Sequence, residues 1–466
     1  MINNSVHPLG TVFIVGIGGA GMSALARILL AQGAVVRGSD AKDSRRIQKL
    51  RSLGIDVVIG HTRENLVGES GVPLCDTICY STAIPTTNIE RVTAGELGIR
   101  SLSRAELLVQ VTQGTEVLSV TGTHGKTTTT SLLTLGLQSA GVDPSFVVGS
   151  ELHDAGSNAH WGSGKYFAVE ADESDGTFLQ LQTGFGIITN VEADHLNYWH
   201  TLEKLEAAFC EFISKTQNQC VVHGDDEGIK KILLENSNLL NKVQTYGMSD
   251  HNDFQVNISR DSAEVHGKDG IIADFTLQIP GVHNILNASA TIVLAHLLEL
   301  DMSRFVKGIE SFTGTSRRFE LKGKVANVSV YDDYAHHPTE IRATLTAARE
   351  KVKSGKLIVA FQAHHYYRTA LFSKEFGESL GLADEVVVME VFAPGEEFIP
   401  GSSGITLASN VPLDSNVVHF EPSWSKVPAL LARNASPGDF IFTLGAGEIG
   451  LMSSDIVREL KNKYGE

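Results

Sequence analysis

Cysteine is scarce in this 466-residue chain, which carries four: Cys75, Cys79, Cys210 and Cys220. None has a partner at zinc-site spacing, and Cys75 and Cys79 fall around a predicted strand. All four read as small buried hydrophobes in a reducing compartment. Basic residues are in deficit as well. Against 54 Asp and Glu stand 38 Lys and Arg, a formal net charge of −16. That balance excludes a general nucleic-acid surface, because a phosphate backbone needs clustered cations. A single nucleotide needs only a local nest of N–H groups, so nucleotide binding stays open. Long apolar runs are missing too. The first, 11–36, is broken by glycines and Arg27 and has no basic stretch before it. This fits neither a signal peptide nor a membrane span. A cytoplasmic globular protein without a membrane partner is expected, and the length predicts about three domains.

What the chain does contain is a repeated design of apolar strand, polar tip and helix. Its centre is Ser119-Val-Thr-Gly122-Thr123-His124-Gly125-Lys126-Thr127-Thr128. The β-branched run Glu116–Thr121 predicts a buried strand, and the leucines at 132, 133, 135 and 137 predict a helix from Thr128 to Ala140. A glycine-rich turn between strand and helix aims N–H groups and a helix N-terminus at one point, which suits a polyphosphate. Lys126 supplies a cation for the outer phosphates, and the Thr127 hydroxyl is placed to ligate Mg²⁺. The leading glycine sits at 122 rather than 120, so this is not the common phosphate-loop spacing. An ordinary glycine-rich turn is the alternative; ATP is the expected ligand.

Two further strand tips point to the same crevice. Lys165–Glu170 ends in an acid, and a carboxylate beside a phosphate loop commonly serves Mg²⁺. Its neighbours Glu173 and Asp175 fit a surface acidic turn better than Glu170 does. The run from Gly186 repeats the pattern and brings Asn190, Asp194 and His195 to the same edge. Before the alanine-rich segment that ends near Leu298, Asn284 is a plausible helix N-cap, while His283 and Asn287 suit the adenosine end of ATP.

The first hundred residues follow a second nucleotide pattern. Thr11–Val15 is a buried strand, Gly16-Ile-Gly18-Gly19-Ala20-Gly21 a glycine turn, and a second strand reaches Asp40. This is the dinucleotide fingerprint, so an NAD-dependent oxidoreductase is one reading and another nucleotide diphosphate is the other. The glycines do not separate them. Ser81-Thr-Ala83-Ile84 leaves a later strand and is either a contact in the same crevice or a plain turn into the helix that follows. A helix over Arg104–Val111 precedes a boundary near 110. Past Thr315 the character shifts again. Asp332-Asp333-Tyr334-Ala-His336-His337-Pro338 lies at a strand-to-helix junction, with Pro338 in the first turn. The strands Lys356–Phe361, Glu385–Met389 and Asp439–Leu444 build a small parallel sheet, with Gln362-Ala-His364-His365-Tyr366-Tyr367-Arg368 at one tip.

Taken together, these stretches resemble the Mur ligases, ATP-dependent enzymes that build the peptide of bacterial cell-wall precursors. The likeness runs in order along essentially the whole chain. It rests on Gly16–Met22, Gly122–Thr128, Glu170–Asp175, Asp332–Glu340 and the Phe361-Gln362 tip; the Thr123-His124 pair inside the phosphate loop is its most specific part. The resemblance implies an α/β chain of three domains. They are a Rossmann-like UDP-sugar domain at 1–110, a central P-loop ATPase-like domain with a mostly parallel sheet at 111–314, and a Rossmann-like amino-acid domain at 315–466. It implies ATP-driven activation of the UDP-N-acetylmuramate carboxylate as an acyl phosphate, which the amine of L-alanine attacks. A tripeptide-recycling member of the family is the alternative.

By the same resemblance, Gly122 to Thr128 hold the phosphates. Thr127 with Glu170 binds one Mg²⁺, and His195 with Glu170 a second. Arg318 reaches the γ-phosphate, and Asn190, His283, Asn287 and Asp333 line the nucleotide. Gly18, Gly19, Ala20, Gly21, Asp40, Ser81 and Ala83 take the UDP-sugar, and Tyr334, His336, His364, His365 and Arg368 face the amino acid. Alanine-joining members typically read Phe-Gln-Pro-His-Arg-Tyr-Thr-Arg where this chain has Phe361-Gln-Ala-His-His-Tyr-Tyr-Arg368. A histidine therefore stands at 365 in place of an arginine, and the loop Phe392-Ala-Pro-Gly395-Glu396 lacks an arginine that many relatives carry.

Overall fold

The chain is described by a computed structural model covering residues 7–150 and 157–465. It is an α/β protein with three sheets among these residues. The first has five parallel strands, β1 (Thr11–Val15), β2 (Val35–Asp40), β3 (Asp56–Ile59), β4 (Thr77–Tyr80) and β5 (Arg100–Ser103), in the order β3-β2-β1-β4-β5. Val12, Phe13, Ile14 and Val15 are all buried, as a strand covered on both faces requires. The order reverses between β1 and β4. The glycine turn after β1 therefore opens at the switch point, where such sheets bind ligands.

The second sheet comprises β6 (Glu116–Thr121), β7 (Ser145–Val147), β8 (Ala159–His160), β9 (Tyr166–Glu170), β10 (Thr183–Ile188), β11 (Cys220–His223), β12 (Val243–Gly247), β13 (Phe254–Ser259), β14 (Ser262–Gly267) and β15 (Gly270–Thr276). Its order is β15-β14-β13-β12-β11-β10-β6-β9-β7-β8, with β7 through β12 pairing in parallel apart from the antiparallel edge strand β8. Because β6 lies between β9 and β10, the tips of those two strands flank the phosphate loop. That adjacency builds the site. The third sheet has six strands, β16 (Glu320–Val325), β17 (Val328–Asp333), β18 (Leu357–Phe361), β19 (Glu385–Val388), β20 (Val418–Phe420) and β21 (Phe440–Leu444), in the order β16-β17-β21-β18-β19-β20; β16 alone is antiparallel to its neighbour.

By contact, the chain forms two compact units. One is Met1–Asn257 with Glu264–Phe275 and Asn287–Glu310; the other is Ile258–Ala263 with Thr276–Leu286 and Ser311–Glu466. Two local expectations change. The helix after the phosphate loop spans Lys126–Ser139, two residues earlier than its leucines suggest, because Gly125 at φ 86° supplies the left-handed residue that starts it. Asn284 is not an N-cap. It lies inside the helix Val282–Leu297, and its amide donates to the Pro280 carbonyl at 2.6 Å. The four cysteines are free; Cys75, Cys79 and Cys220 are buried as expected, whereas Cys210 is only half-buried, and burial pushes the Cys79 and Cys220 thiols up to about 12. No helix among the described residues is long and apolar enough to cross a membrane.

Candidate active site

The phosphate loop is braced from the β10 tip. Asn190 Oδ1 accepts the His124 N–H at 2.9 Å, and its amide donates to the His124 carbonyl at 3.0 Å. The Asn190 carbonyl accepts from Thr123 N–H at 3.0 Å, and the Thr189 hydroxyl donates to the His124 carbonyl at 2.5 Å. The His124 ring pairs with Glu192. Glycine is required twice here. Gly122 has φ 125°, and a Cβ on it would stand 2.2 Å from Thr189 Oγ1; at Gly125 one would stand 2.9 Å from Asn287 Oδ1. The loop thus closes on Asn287, one of the residues expected at the nucleotide, and His283 lies one helical turn earlier on the same helix.

The helix Lys126–Ser139 opens with Lys126 followed by four consecutive threonines. Thr129 and Thr130 donate back to the carbonyls of Gly125 and Lys126, which satisfies hydroxyls that burial would otherwise penalise. Thr127 is different. Its hydroxyl turns to the β9 tip and donates to Glu170 Oε1 at 2.9 Å, while Glu170 Oε2 accepts the Gly149 N–H at 2.8 Å. Thr128 is buried behind the loop. Two oxygen-bearing side chains at one strand–helix junction are the donor type a hard divalent cation takes.

Lys126 Nζ donates to the carbonyls of Gly122 at 2.8 Å and Thr123 at 3.2 Å, and pairs with Glu173 at 2.7 and 2.8 Å. The reading of Glu173 as a surface acid is therefore wrong: its side chain has no exposure at all. The fold turns it inward, where it also receives the Trp199 indole N–H on its carbonyl and stands 3.6 Å from His195 Nε2. Burial raises the Glu173 carboxyl to about 7 against the pull of Lys126. Lys126 is itself held cationic, since its own burial is outweighed by Glu173 and Asp172. His195, expected beside Glu170, meets Glu173 and, at 3.5 Å, Asp194. It adopts a left-handed backbone at φ 53°, a strained conformation of the kind that collects at functional sites.

In the first sheet, Gly18 N–H donates to Asp40 Oδ2 at 2.9 Å. Asp40 thus holds the glycine turn from below with one oxygen. Gly19 precedes the helix Ala20–Ala31, whose N-terminus faces the switch point, and Gly21 falls in its first turn. Ser81 to Ile84 forms a turn closed by Ile84 N–H on the Ser81 carbonyl, with Ala83 exposed, and Ile84 packs toward Gly16. The expected UDP-sugar residues are gathered around one loop. Beneath them lies a cluster that the sequence did not signal: buried Glu90 accepts from Ser39 at 2.7 Å and Asn65 at 2.6 Å and pairs with His61 at 2.8 Å.

The third sheet brings a separate group together. Asp333 closes β17, buried, accepting the Phe319 and Ala335 N–H groups at 2.7 and 2.8 Å; burial pushes its carboxyl up to about 6 against the pull of Arg318. Arg318 stands over the Tyr334 ring and 3.6 Å from Glu340, while Glu340 also accepts the His336 N–H at 3.0 Å. At the β18 tip the His364 and His365 rings lie 4.0 Å apart, and Arg368 is almost wholly buried. Burial, with His365, His336 and Arg368 around it, drives the His364 imidazole down to about 3, so it stays neutral. The histidine at 365 is not idle. Its Nδ1 pairs with Glu396, whose other oxygen accepts the Tyr366 N–H at 2.8 Å. The two departures from the family pattern therefore meet each other. Glu396 went unassigned in the sequence because nothing local ties it to a residue thirty positions earlier.

Models of a Mur ligase family catalytic domain, a Mur ligase middle domain and a Mur ligase glutamate ligase domain match residues 11–115, 120–295 and 317–447. The chain is 46% identical to a UDP-N-acetylmuramate–L-alanine ligase of Acidothermus cellulolyticus, over 98% of this chain and 96% of that protein. A ligase of the same name from Salinispora arenicola is 42% identical, over 98% of this chain and 89% of its own. Among solved structures, the UDP-N-acetylmuramate–alanine ligase of Thermotoga maritima superposes with a TM-score of 0.79 at 28% identity, covering 97% of this chain and 99% of that one. A murein peptide ligase of Psychrobacter arcticus shares the fold at a TM-score of 0.71 and 22% identity. Shared fold, matching domain models and near-complete coverage lead to one assignment: the chain belongs to the Mur ligase family.

Proposed function

We propose that the protein joins L-alanine to the carboxylate of UDP-N-acetylmuramate, using ATP and releasing ADP and phosphate, as a step in peptidoglycan precursor synthesis. The observation that carries this reading is full-length identity of 46% to a ligase of that name, with Lys126, Thr127 and Glu170 converging at the tips of β6 and β9. Phosphoryl transfer asks a protein chiefly for positioning and for cations aimed at the oxygens where charge develops. Lys126 is buried, charged and held at the loop mouth, so it suits the outer phosphates. Gly122, Thr123, His124, Gly125, Thr127 and Thr128 with Asn190 shape the cradle, and His283, Asn287, Asp333 and Arg318 serve the rest of the nucleotide. Thr127 and Glu170 fit Mg²⁺ as oxygen donors, and His195, which meets Glu173 and Asp194, joins that set by the family resemblance alone. The cation, when bound, screens phosphate charge. Asp40, Ser81, Ala83 and residues 18–21 serve the UDP-sugar.

At the acceptor end, Tyr334, His336, His364, His365 and Arg368 face the amino acid. Neutral His364 cannot anchor a carboxylate by charge, which leaves Arg368 and the His365–Glu396 pair to fix the acceptor. Division at 110 and 314 into UDP-sugar, ATP and amino-acid domains, and a cytoplasmic location, complete the proposal. Phosphate release from ATP with Mg²⁺ and UDP-N-acetylmuramate tests it, with L-alanine, glycine, L-serine and the cell-wall tripeptide in parallel. Preferential turnover with L-alanine is expected. Turnover with the tripeptide alone would make the protein a recycling ligase, and silence with every acceptor would remove the ligase reading.

A further inference from the structure

One cation in the first unit lies between the glycine turn after β1 and the acidic turn after β9 and has no role so far. Arg104 is the first residue of the helix Arg104–Val111, fixed there by a capping box in which Ser103 and Glu106 exchange hydrogen bonds. Its side chain lies against the glycine turn of the first sheet: a Cβ on Gly21 would stand 3.5 Å from Arg104 Cδ and 3.8 Å from its Nη1. On the other side, Nη2 donates to Asp175 Oδ2 at 2.9 Å and lies 3.5 Å from the Thr177 hydroxyl. Asp175 is itself fixed, accepting the Thr177 N–H at 3.0 Å. Burial opposes the charge on Arg104, yet the carboxylates of Asp175, Asp172 and Glu170 hold it firmly cationic.

A guanidinium carries five N–H donors in a rigid fork. Asp175 engages Nη2, and among the described residues Nε and Nη1 have no hydrogen-bond partner, with the side chain 28% exposed. A structural ion pair alone does not require an arginine beside Gly21, where the helix Ala20–Ala31 begins. We infer that Arg104 binds the diphosphate of the UDP-sugar through its Nη1 N–H donors, on the side that faces Gly21, and that Asp175 is the positioning residue that aims it. The inference rests on the ligase reading of the first domain and deepens it. It also places the acidic turn 170–175 between the two ligands: Glu170 and Glu173 hold Thr127 and Lys126, while Asp175 holds Arg104.

Calorimetric titration of the full chain with UDP-N-acetylmuramate, with UDP alone and with ATP tests this. Arg104→Ala and Arg104→Lys are expected to weaken both uridine ligands by the same factor, about tenfold to a hundredfold for a lost charge-assisted contact. ATP affinity should stay within twofold. Asp175→Asn keeps the arginine charge but not its aim, so a smaller loss on both uridine ligands is expected. Thermal midpoints near wild type show that the variants are folded, and Arg104→Lys serves should Arg104→Ala fail to fold. Unchanged uridine affinity in the Arg104 variants overturns the inference. Loss for UDP-N-acetylmuramate but not for UDP overturns the diphosphate assignment, since the contact would then be to the sugar or its carboxylate. A wild-type chain that binds neither uridine ligand removes the ligase reading itself, an outcome distinct from the two before it.

Discussion

Around Gly122–Gly125 the loop's polar groups are taken up by the next strand tip in the same sheet: Asn190, Thr189 and Glu192 hold His124 and Thr123, and Glu173 and Glu170 hold Lys126 and Thr127. At the β18 tip the arrangement is looser in sequence. His365 and the start of the helix Tyr366–Leu371 depend on Glu396, carried by a loop beyond β19, with Phe392 stacked on His364. The contrast has a physical basis. Phosphate is the same ligand in every nucleotide enzyme, and a preorganised cradle of backbone donors and one cation serves it without adaptation. An acceptor must be told from its relatives, and under the proposed function that discrimination falls to a few side chains that a distant loop can re-aim.

The largest expected effect breaks the rigid region. Lys126→Met leaves the cradle but removes its cation, so kcat should fall roughly 10²–10³-fold, the cost of losing one aimed donor to developing charge. Far-ultraviolet circular dichroism should be unchanged. Phosphate release within tenfold of wild type would remove Lys126 from the chemistry.

Asp333 gives a prediction in stability rather than rate. Burial raises its carboxyl from 3.8 to about 6. Between those values the folded chain keeps a proton that the unfolded chain has released. Stability therefore falls as pH rises through that window, and the cost is complete above about 6. Relative to Asp333→Asn, which does not titrate, the wild type should lose up to about 3 kcal/mol between pH 4 and 6 in denaturant titrations. Parallel pH profiles for the two proteins would show that the buried carboxyl is not proton-linked.

Gly125→Ala sharpens the contrast from the rigid side. A left-handed alanine whose Cβ meets Asn287 should cost about 1–3 kcal/mol of stability and weaken ATP binding. Equal ATP affinity would mean that the loop tolerates movement. The smallest effect is expected at the acceptor end. Glu396→Gln removes the charge from the His365 pair, and the Michaelis constant for L-alanine should rise about fivefold to twentyfold with that for ATP unchanged. A change in the ATP constant instead would place the loop in nucleotide binding.

Much of this was legible in the chain. β6, β9 and β10 announce themselves as apolar runs with polar tips, and the glycine turns mark both crevices, because strand periodicity and backbone conformation are local properties. Glu173 was not legible. An acid within Asp172-Glu173-Ser174-Asp175 reads as solvated surface, and only the neighbouring helix, which sets Lys126 against it, shows why it is buried. Asn284 misled for a related reason: N-capping needs an extended residue before the helix, and here the helix starts two residues sooner. The strands β11 to β15 are not legible in the sequence either. Several are short or carry polar residues in alternation, as in Phe254-Gln-Val-Asn-Ile-Ser259, and their pairing partners decide their state. Glu396 and Arg104 act across long sequence separations, where no spacing rule applies.

The central claim is that the chain forms an amide between L-alanine and UDP-N-acetylmuramate at the expense of ATP. Mass spectrometry of the products from wild-type protein with ATP, Mg²⁺, UDP-N-acetylmuramate and isotopically labelled L-alanine tests it most directly. Label in a UDP-N-acetylmuramoyl-alanine conjugate, formed only with ATP present and lost in Lys126→Met, is the predicted result. ATP consumed with no labelled conjugate, or a conjugate formed without ATP, would contradict it.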